Sequence, residues 1–202
     1  MVSLFGDLIE QARAFSGLEI LAVALAIAYL VLAIRQSIWC WYCAAASTAI
    51  YIWLFFGAKL YMESVLNVFY FVMAIYGWMV WTQGRDTTHE LPVVSWPRKV
   101  HGTAIAVVVL ASVINGYLLS RYTDAAFPYI DSLTTWSAIW ATFLVARKVL
   151  ENWWYWLVID VASVFIYLMR DLQLTSLLFV VYVIMIPFGL VSWTRSMREQ
   201  TA

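Results

Sequence analysis

The sequence predicts an all-α integral membrane protein: seven transmembrane helices arranged as two parallel three-helix repeats joined by a linker helix. Three observations carry this prediction. The 202 residues are 64% hydrophobic and only 12% charged, where soluble domains carry roughly 25% charged residues, and the mean hydropathy is +0.82. Apolar spans of membrane-crossing length recur along the chain. The chain also resembles itself when slid by 112 positions.

A bilayer core takes about 20 mostly apolar residues per helix. On that scale spans fall near 17–34, 38–57, 61–82, 102–120, 132–146, 152–169 and 174–193, the fifth being the shortest. Ahead of them, "MVSLFGDLIEQARAFSG" lacks a basic n-region and does not read as a secretory signal. Its Leu4, Leu8, Ile9, Ala12 and Phe15 suit a helix over residues 1–16 lying at the interface. Residues 17–82 make the first three-helix repeat. Residues 83–131 hold a polar linker and the fourth helix; "TQGRDTTHELPVVSWPRK", with charges of both signs and with Pro92 and Pro97, reads as an aqueous loop. The second repeat covers 132–193, and 194–202 form a cytoplasmic tail.

Orientation follows from Lys and Arg in alternate loops. One side receives Arg13, Lys59, Arg121 and Arg170; the other receives Arg35, Arg85, Arg98, Lys99, Arg147, Lys148, Arg195 and Arg198. Four against eight places the C-terminus and the linker in the cytoplasm and the N-terminus outside. Net charge is zero, which argues against nucleic acid as a partner.

The self-match runs ungapped from "WYCAAASTAIYIWLFFGAKLYMESVLNVFYFVMAIYGWMVW" onto "WWYWLVIDVASVFIYLMRDLQLTSLLFVVYVIMIPFGLVSW". Trp41 lands on Trp153, Leu60 on Leu172, Ser64 on Ser176, Tyr70 on Tyr182, Gly77 on Gly189 and Trp81 on Trp193. A single helix between the triplets leaves both in the same orientation. Parallel repeats of this kind occur in transporters, with the substrate bound near the midplane between them. That is an analogy of fold and names no substrate.

Asp160 lies eight residues into its span, about 12 Å deep, near the bilayer centre. A carboxylate there must be shielded, paired or functional. Trp153, Trp156 and Asp160 are spaced i, i+3, i+7 and share one helical face. Two indoles and a carboxylate suit a flat aromatic cation, which stacks on the rings while Asp160 balances its charge. The plainer readings are interfacial belt roles for Trp153 and Trp154, and a protonated Asp160 donating to a backbone carbonyl. A second stripe, Glu63, Asn67 and Tyr70 in "YMESVLNVFY", shares a face of the third span. Asn67 offers donors and an acceptor, whereas Glu63 nearer the edge reads first as a solvated carboxylate. Tyr70 and Tyr182 are either core or site walls. Ser64, Thr175 and Ser176 suit helix contacts, and Pro187 with Gly189 marks a kink or a hinge.

Enzymatic readings fare poorly. His89 and His101 lie in or beside the linker without zinc-ligand spacing, no span holds a histidine base, and no P-loop is present. No cofactor or metal is expected. Cys40 and Cys43 in "CWYC" read as helix packing before redox chemistry.

The pattern WxxWxxxN/D, filled by Trp153, Trp156 and Asp160 in "RKVLENWWYWLVIDVASVFIYLMRDLQLTSLLFVVY", resembles the signature of the Pnu vitamin transporters of the PnuC type. "DAAFPYIDS" and "LYMESVLNVFYFVMAIYGWMVW" also look like that family, and the similarity runs from about Gly17 to Trp193. The resemblance implies a SWEET-like pair of three-helix units in a bacterial inner membrane. It implies facilitated diffusion of a vitamin precursor (nicotinamide riboside first, thiamine close behind, then riboflavin or nucleosides), trapped by a cytoplasmic kinase. It makes Trp153, Trp156 and Asp160 the binding motif. Asn67 stands where relatives often carry glutamine, and Ser47 where riboside transporters are expected to carry asparagine. A homo-oligomer is open, as is a different class of function, a non-transporting membrane receptor or assembly partner.

Overall fold

The structure is a computed structural model that describes residues 16–57, 61–83, 91–123, 127–170 and 172–201. The expected interfacial helix over 1–16 lies outside the described residues except for Ser16, and His89 lies outside them too. Seven helices follow in order: α1 Gly17–Ile34, α2 Trp39–Gly57, α3 Tyr61–Gln83, α4 Arg98–Tyr122, α5 Pro128–Ala146, α6 Asn152–Met169 and α7 Gln173–Thr201.

Helix starts and stops follow local chemistry. Ser16 and Glu19 form a capping box at α1, the hydroxyl accepting from Glu19 N and the carboxylate from Ser16 N. The α1–α2 and α5–α6 turns are built alike. Gln36 (φ 54°) and Lys148 (φ 50°) sit 112 positions apart in the left-handed region. At each turn two amides reach back: Gln36 N to Ala33 O and Ser37 N to Leu32 O, Lys148 N to Val145 O and Val149 N to Leu144 O. These are Schellman closures, made here without glycine.

Among the described residues, six helices are long and apolar enough to cross a membrane; of the seven, α5 is the exception. Its packing explains its polarity. Helices α1, α2, α3, α5, α6 and α7 touch in that cyclic order and close into a ring, while α4 packs mainly on α5. Residues on several faces of α5, including Ser132, Ala138, Ala141, Thr142 and Leu144, are therefore buried by protein rather than lipid. Ser132 is satisfied in the α4–α5 seam, where it accepts from Asn115 Nδ2 (3.1 Å) and its carbonyl from Ser112 Oγ (3.3 Å).

Positions 112 apart make matching contacts. Ser64 Oγ donates to Ile52 O (3.1 Å) and Ser176 Oγ to Val164 O (3.0 Å). Trp41 meets Trp81 edge-on (5.3 Å, 85°), and Trp153 meets Trp193 in the same way (5.4 Å, 88°). Trp81 and Trp193 then meet one another at 6.4 Å. Each crosses to the other triplet: Trp81 Nε1 donates to Ala146 O (3.1 Å) and Trp193 Nε1 to Ala33 O (3.0 Å). Beside them buried Lys148 donates to Gln36 Oε1 (3.2 Å) and lies 4.6 Å over the Trp81 ring.

Several boundaries differ from the sequence reading. Helix α4 starts at Arg98 rather than 102, immediately after Pro97. Helix α5 starts at Pro128, so the expected 131/132 boundary falls inside it; proline suits a first turn whose amides lack partners anyway. Helix α7 continues to Thr201, absorbing the segment set apart as a tail and gaining an Arg195–Glu199 pair at 2.8 Å. The described part of the linker, read as an aqueous loop, is docked on the end of the ring. Val94 pairs with the α5–α6 turn (Val94 N to Lys148 O, Leu150 N to Val94 O), and buried Val93 donates to Gln200 Oε1. Its apolar Leu91, Val93 and Val94 supply the reason: they cover the turn.

The tightest points of the ring are two glycines. A Cβ on Gly77 would meet Trp41 Cζ2 at 2.3 Å, and one on Gly189 would meet Trp153 Cη2 at 2.3 Å. Gly77→Ala and Gly189→Ala should each lower thermal stability in detergent by a similar amount, about 1–3 kcal/mol. Gly102→Ala, whose Cβ meets nothing, should leave it unchanged or slightly raised.

Candidate substrate site

The three motif residues on α6 take three different environments. Trp153 is 2% exposed and wedged between Gly189 and the edge of Trp193. It is part of the ring's closure, not an open stacking face in this conformation. Trp156 is half-buried and bridges the tryptophan core to a second cluster formed by Ala138, Ala141 and Ile159. Asp160 is 3% exposed, and its Oδ1 has no hydrogen-bond partner among the described residues. No ion pair involves it there. Trp154, by contrast, is 55% exposed and faces outward.

Tyrosines converge on this carboxylate. Tyr70 on α3 and Tyr182 on α7 both lie within electrostatic reach of Asp160. Tyr29 on α1 lies within reach of both phenols. Four helices thus deliver one carboxylate and three phenols to the inside of the ring. Tyr70 also packs on the Ala138–Ala141–Ile159 cluster, next to the Asp160 turn. Phenols suit such a site: the ring supplies apolar wall and the hydroxyl a donor or acceptor.

Other expected site residues are not brought here. Ser47 is buried, but its Oγ donates to Ala22 O (2.9 Å) and serves the α1–α2 contact. Asn67 is half-buried and spends an amide hydrogen on Glu63 O one turn back (2.9 Å), while Glu63 itself is exposed. Ser64 and Ser176 serve helix contacts, as above. Cys40 and Cys43 are free thiols, Cys40 buried in the core. His101 Nδ1 pairs with Tyr155 OH (3.0 Å), and no cluster of three metal-ligating side chains occurs among the described residues.

Two cavities, of about 760 and 390 Å³, flank α4 on the outside of the ring. Neither is lined by Trp153, Trp156 or Asp160. Sequence reasoning did not find Tyr29 or Lys148 as structural centres. Tyr29 sits in the most apolar stretch of α1 with no periodic partner, and Lys148 reads as a loop cation.

The sequence model of the nicotinamide mononucleotide transporter family matches residues 16–195. The chain belongs to that family. Among its relatives, the nicotinamide riboside transporter PnuC of Escherichia coli (strain K12) is 28% identical over 172 residues, 73% of this chain and 72% of that one. The riboflavin/roseoflavin transporter RibM of Streptomyces davaonensis is 25% identical over 176 residues, 84% of this chain and 81% of that one. A crystal structure of the vitamin B3 transporter PnuC shares the fold, with a TM-score of 0.75 at 21% identity, covering 98% of this chain and 91% of that one. Membership in this transporter family accords with seven helices, six of them membrane-capable.

The environments of the two motif tryptophans separate their roles. Trp153→Ala should cost about 3–5 kcal/mol through the cavity it leaves, read as a large drop in melting temperature. Trp156→Ala, at a half-buried position, should melt closer to the parent protein.

Proposed function

We propose that this nicotinamide mononucleotide transporter family member takes up a cationic aromatic vitamin precursor, nicotinamide riboside first and thiamine second, by facilitated diffusion through the six-helix ring. The observation that carries the reading is Asp160: a buried carboxylate without a hydrogen-bonding or ionic partner among the described residues, with phenols from two other helices, Tyr70 and Tyr182, within electrostatic reach. An unpaired charge away from water is costly unless something compensates it. A pyridinium or thiazolium ring compensates it and brings the flat face that indole and phenol rings favour. The named relatives carry a riboside with such a charge and a neutral flavin; Asp160 favours the charged class here.

In this mechanism the substrate binds near the midplane against Trp156, Asp160, Tyr70, Tyr182 and Tyr29. Trp153 swings from the closed indole cluster to stack on it when the ring opens. Asn67 and Glu63 on α3 meet the substrate's polar edge on entry. The two triplets, α1–α3 and α5–α7, act as parallel SWEET-like repeats with α4 as the linker helix, a reading supported by the matched contacts at 112-residue spacing. A kinase on the cytoplasmic side traps the product by phosphorylation, which gives net uptake without ion coupling.

The same reading places the chain in a bacterial inner membrane with its C-terminus in the cytoplasm. It is supported by one end of the ring, where the linker, both Schellman turns and the end of α7 meet, joined through Val93, Val94, Gln36 and Lys148. That end bears Arg35, Arg98, Lys99, Arg147, Arg195 and Arg198. The opposite end carries the Asp131–Arg170 pair, in which Arg170 Nη2 donates to both carboxylate oxygens (2.7 and 2.8 Å).

Asp160→Asn keeps the shape and removes the charge. Calorimetric titration of the purified protein should show nicotinamide riboside and thiamine weakened by about tenfold or more (~1.4 kcal/mol), with riboflavin changed far less. Unchanged affinity for both cations, in a variant that melts normally, would place the binding charge elsewhere.

A further inference from the structure

The larger cavity lies outside the ring, in a groove with α3 and α4 as walls and α5 as floor. Its walls are apolar: Phe69 and Met73 on α3, Val107 on α4, and Trp136, Ile139 and Phe143 on α5. The one hydroxyl among its lining residues, on Thr103, already donates to Lys99 O (3.0 Å).

Three features limit what fits. First, the groove is charged at one end only. Lys99 lines its mouth and Arg98 precedes it, both exposed. Exposed Arg147 donates to Tyr76 OH (3.3 Å), and Tyr76 stacks on Phe143 of the floor, which brings a third cation to that end. Glu151, the nearby carboxylate, is taken up by Ser95 Oγ, Trp96 N and His101. Second, the groove is as long as half a membrane. From Lys99 to Val108 the α4 wall rises nine residues, about 14 Å, against a hydrocarbon leaflet of about 15 Å. Third, α4 closes onto α5 in the other half: Ser112 bonds to Ser132 O, and a Cβ on Gly116 would meet Tyr129 Cδ1 at 2.5 Å. The smaller cavity, on the other flank of α4, has no basic residue among its lining.

We propose that this groove is a binding site for one anionic phospholipid, its phosphate held by Arg98, Lys99 and Arg147 and its acyl chains laid along α5. Basic pockets between transmembrane helices have this chemistry. The site would stiffen α4 and α3 against α5, the helix at which the two triplets meet on this side of the ring. Under the orientation proposed above the lipid belongs to the cytoplasmic leaflet, but binding itself does not depend on that orientation.

The test is native mass spectrometry of the full chain released from detergent after exposure to equimolar phosphatidylglycerol and phosphatidylcholine, with no vitamin present. One phosphatidylglycerol per chain should be retained, favoured by about tenfold or more. The preference should vanish in Arg98→Gln/Lys99→Gln, and Ala104→Trp, which fills the groove, should lose both adducts. Equal retention of the two lipids overturns the proposal, as does a preference that survives both variants, or a groove found occupied by a second copy of the chain instead. Should the double variant not express, Ala104→Trp alone decides, its control being Val113→Trp on the exposed outer face of α4. Because no vitamin is added, failure here leaves the Asp160 reading intact, and failure of that reading leaves this one intact.

Discussion

Two indole N–H groups hold the ring shut. Lipid tails are as apolar as leucine, so helices in a bilayer are not driven together by hydrophobic burial; packing and hydrogen bonds do that work. Trp81 and Trp193 reach across both seams between the triplets to Ala146 O and Ala33 O. Those carbonyls lie in the last turn of α5 and α1, where helical partners run out. Each bond satisfies a donor that water does not reach; Ala146 O gains its partner this way, while Ala33 O also accepts from Gln36 N. The indoles can stand there only because Trp41 and Trp153 brace them edge-on, and those two fit only because positions 77 and 189 are glycine. Glycine costs helix propensity in a helix interior; here its missing Cβ makes room for a ring.

This constraint also explains why α5 is tolerated as the least lipid-like span. A helix that supplies a seam to α3, a floor to α4 and a neighbour to α6 is surrounded by protein. Its Ser132 and Thr142 find acceptors at Pro128 O and Ala138 O one turn back. Once covered, it is released from the hydropathy demanded of α1 or α7. The covering helix α4 takes over the lipid-facing role, with exposed Leu110, Val113 and Ile114 among its residues.

The spans and the repeated positions were legible in the sequence because the 112-residue register carries them: Trp41 recurs as Trp153 and Gly77 as Gly189. Asp160 was legible because a carboxylate in an apolar run is conspicuous. The role of Trp153 was not. An indole three residues from another reads the same whether it faces a ligand or a glycine, and the glycine is 36 positions away along the chain. Tyr29 was invisible for a related reason: in a membrane helix the inward face is no more apolar than the outward one, so no stripe marks it. The docked linker was hidden by its own composition. Prolines and charges signal a loop correctly, yet Val93 and Val94 among them decide where the loop lies.

The matched frame is not matched at Asp160. The position 112 before Asp160 is Thr48, whose hydroxyl donates back to Ala44 O and Ala45 O and so needs nothing from the ring's interior. Two carboxylates facing one chamber of low dielectric would repel, and one would take up a proton to remain there. A single carboxylate can be neutralised by a single monovalent guest. Tyr70 and Tyr182, which do match, supply the symmetric walls. Where a scaffold repeats its architecture but not its charge, the unrepeated residue sets polarity; under the function proposed above, a guest with one positive ring has one orientation in which its charge meets Asp160.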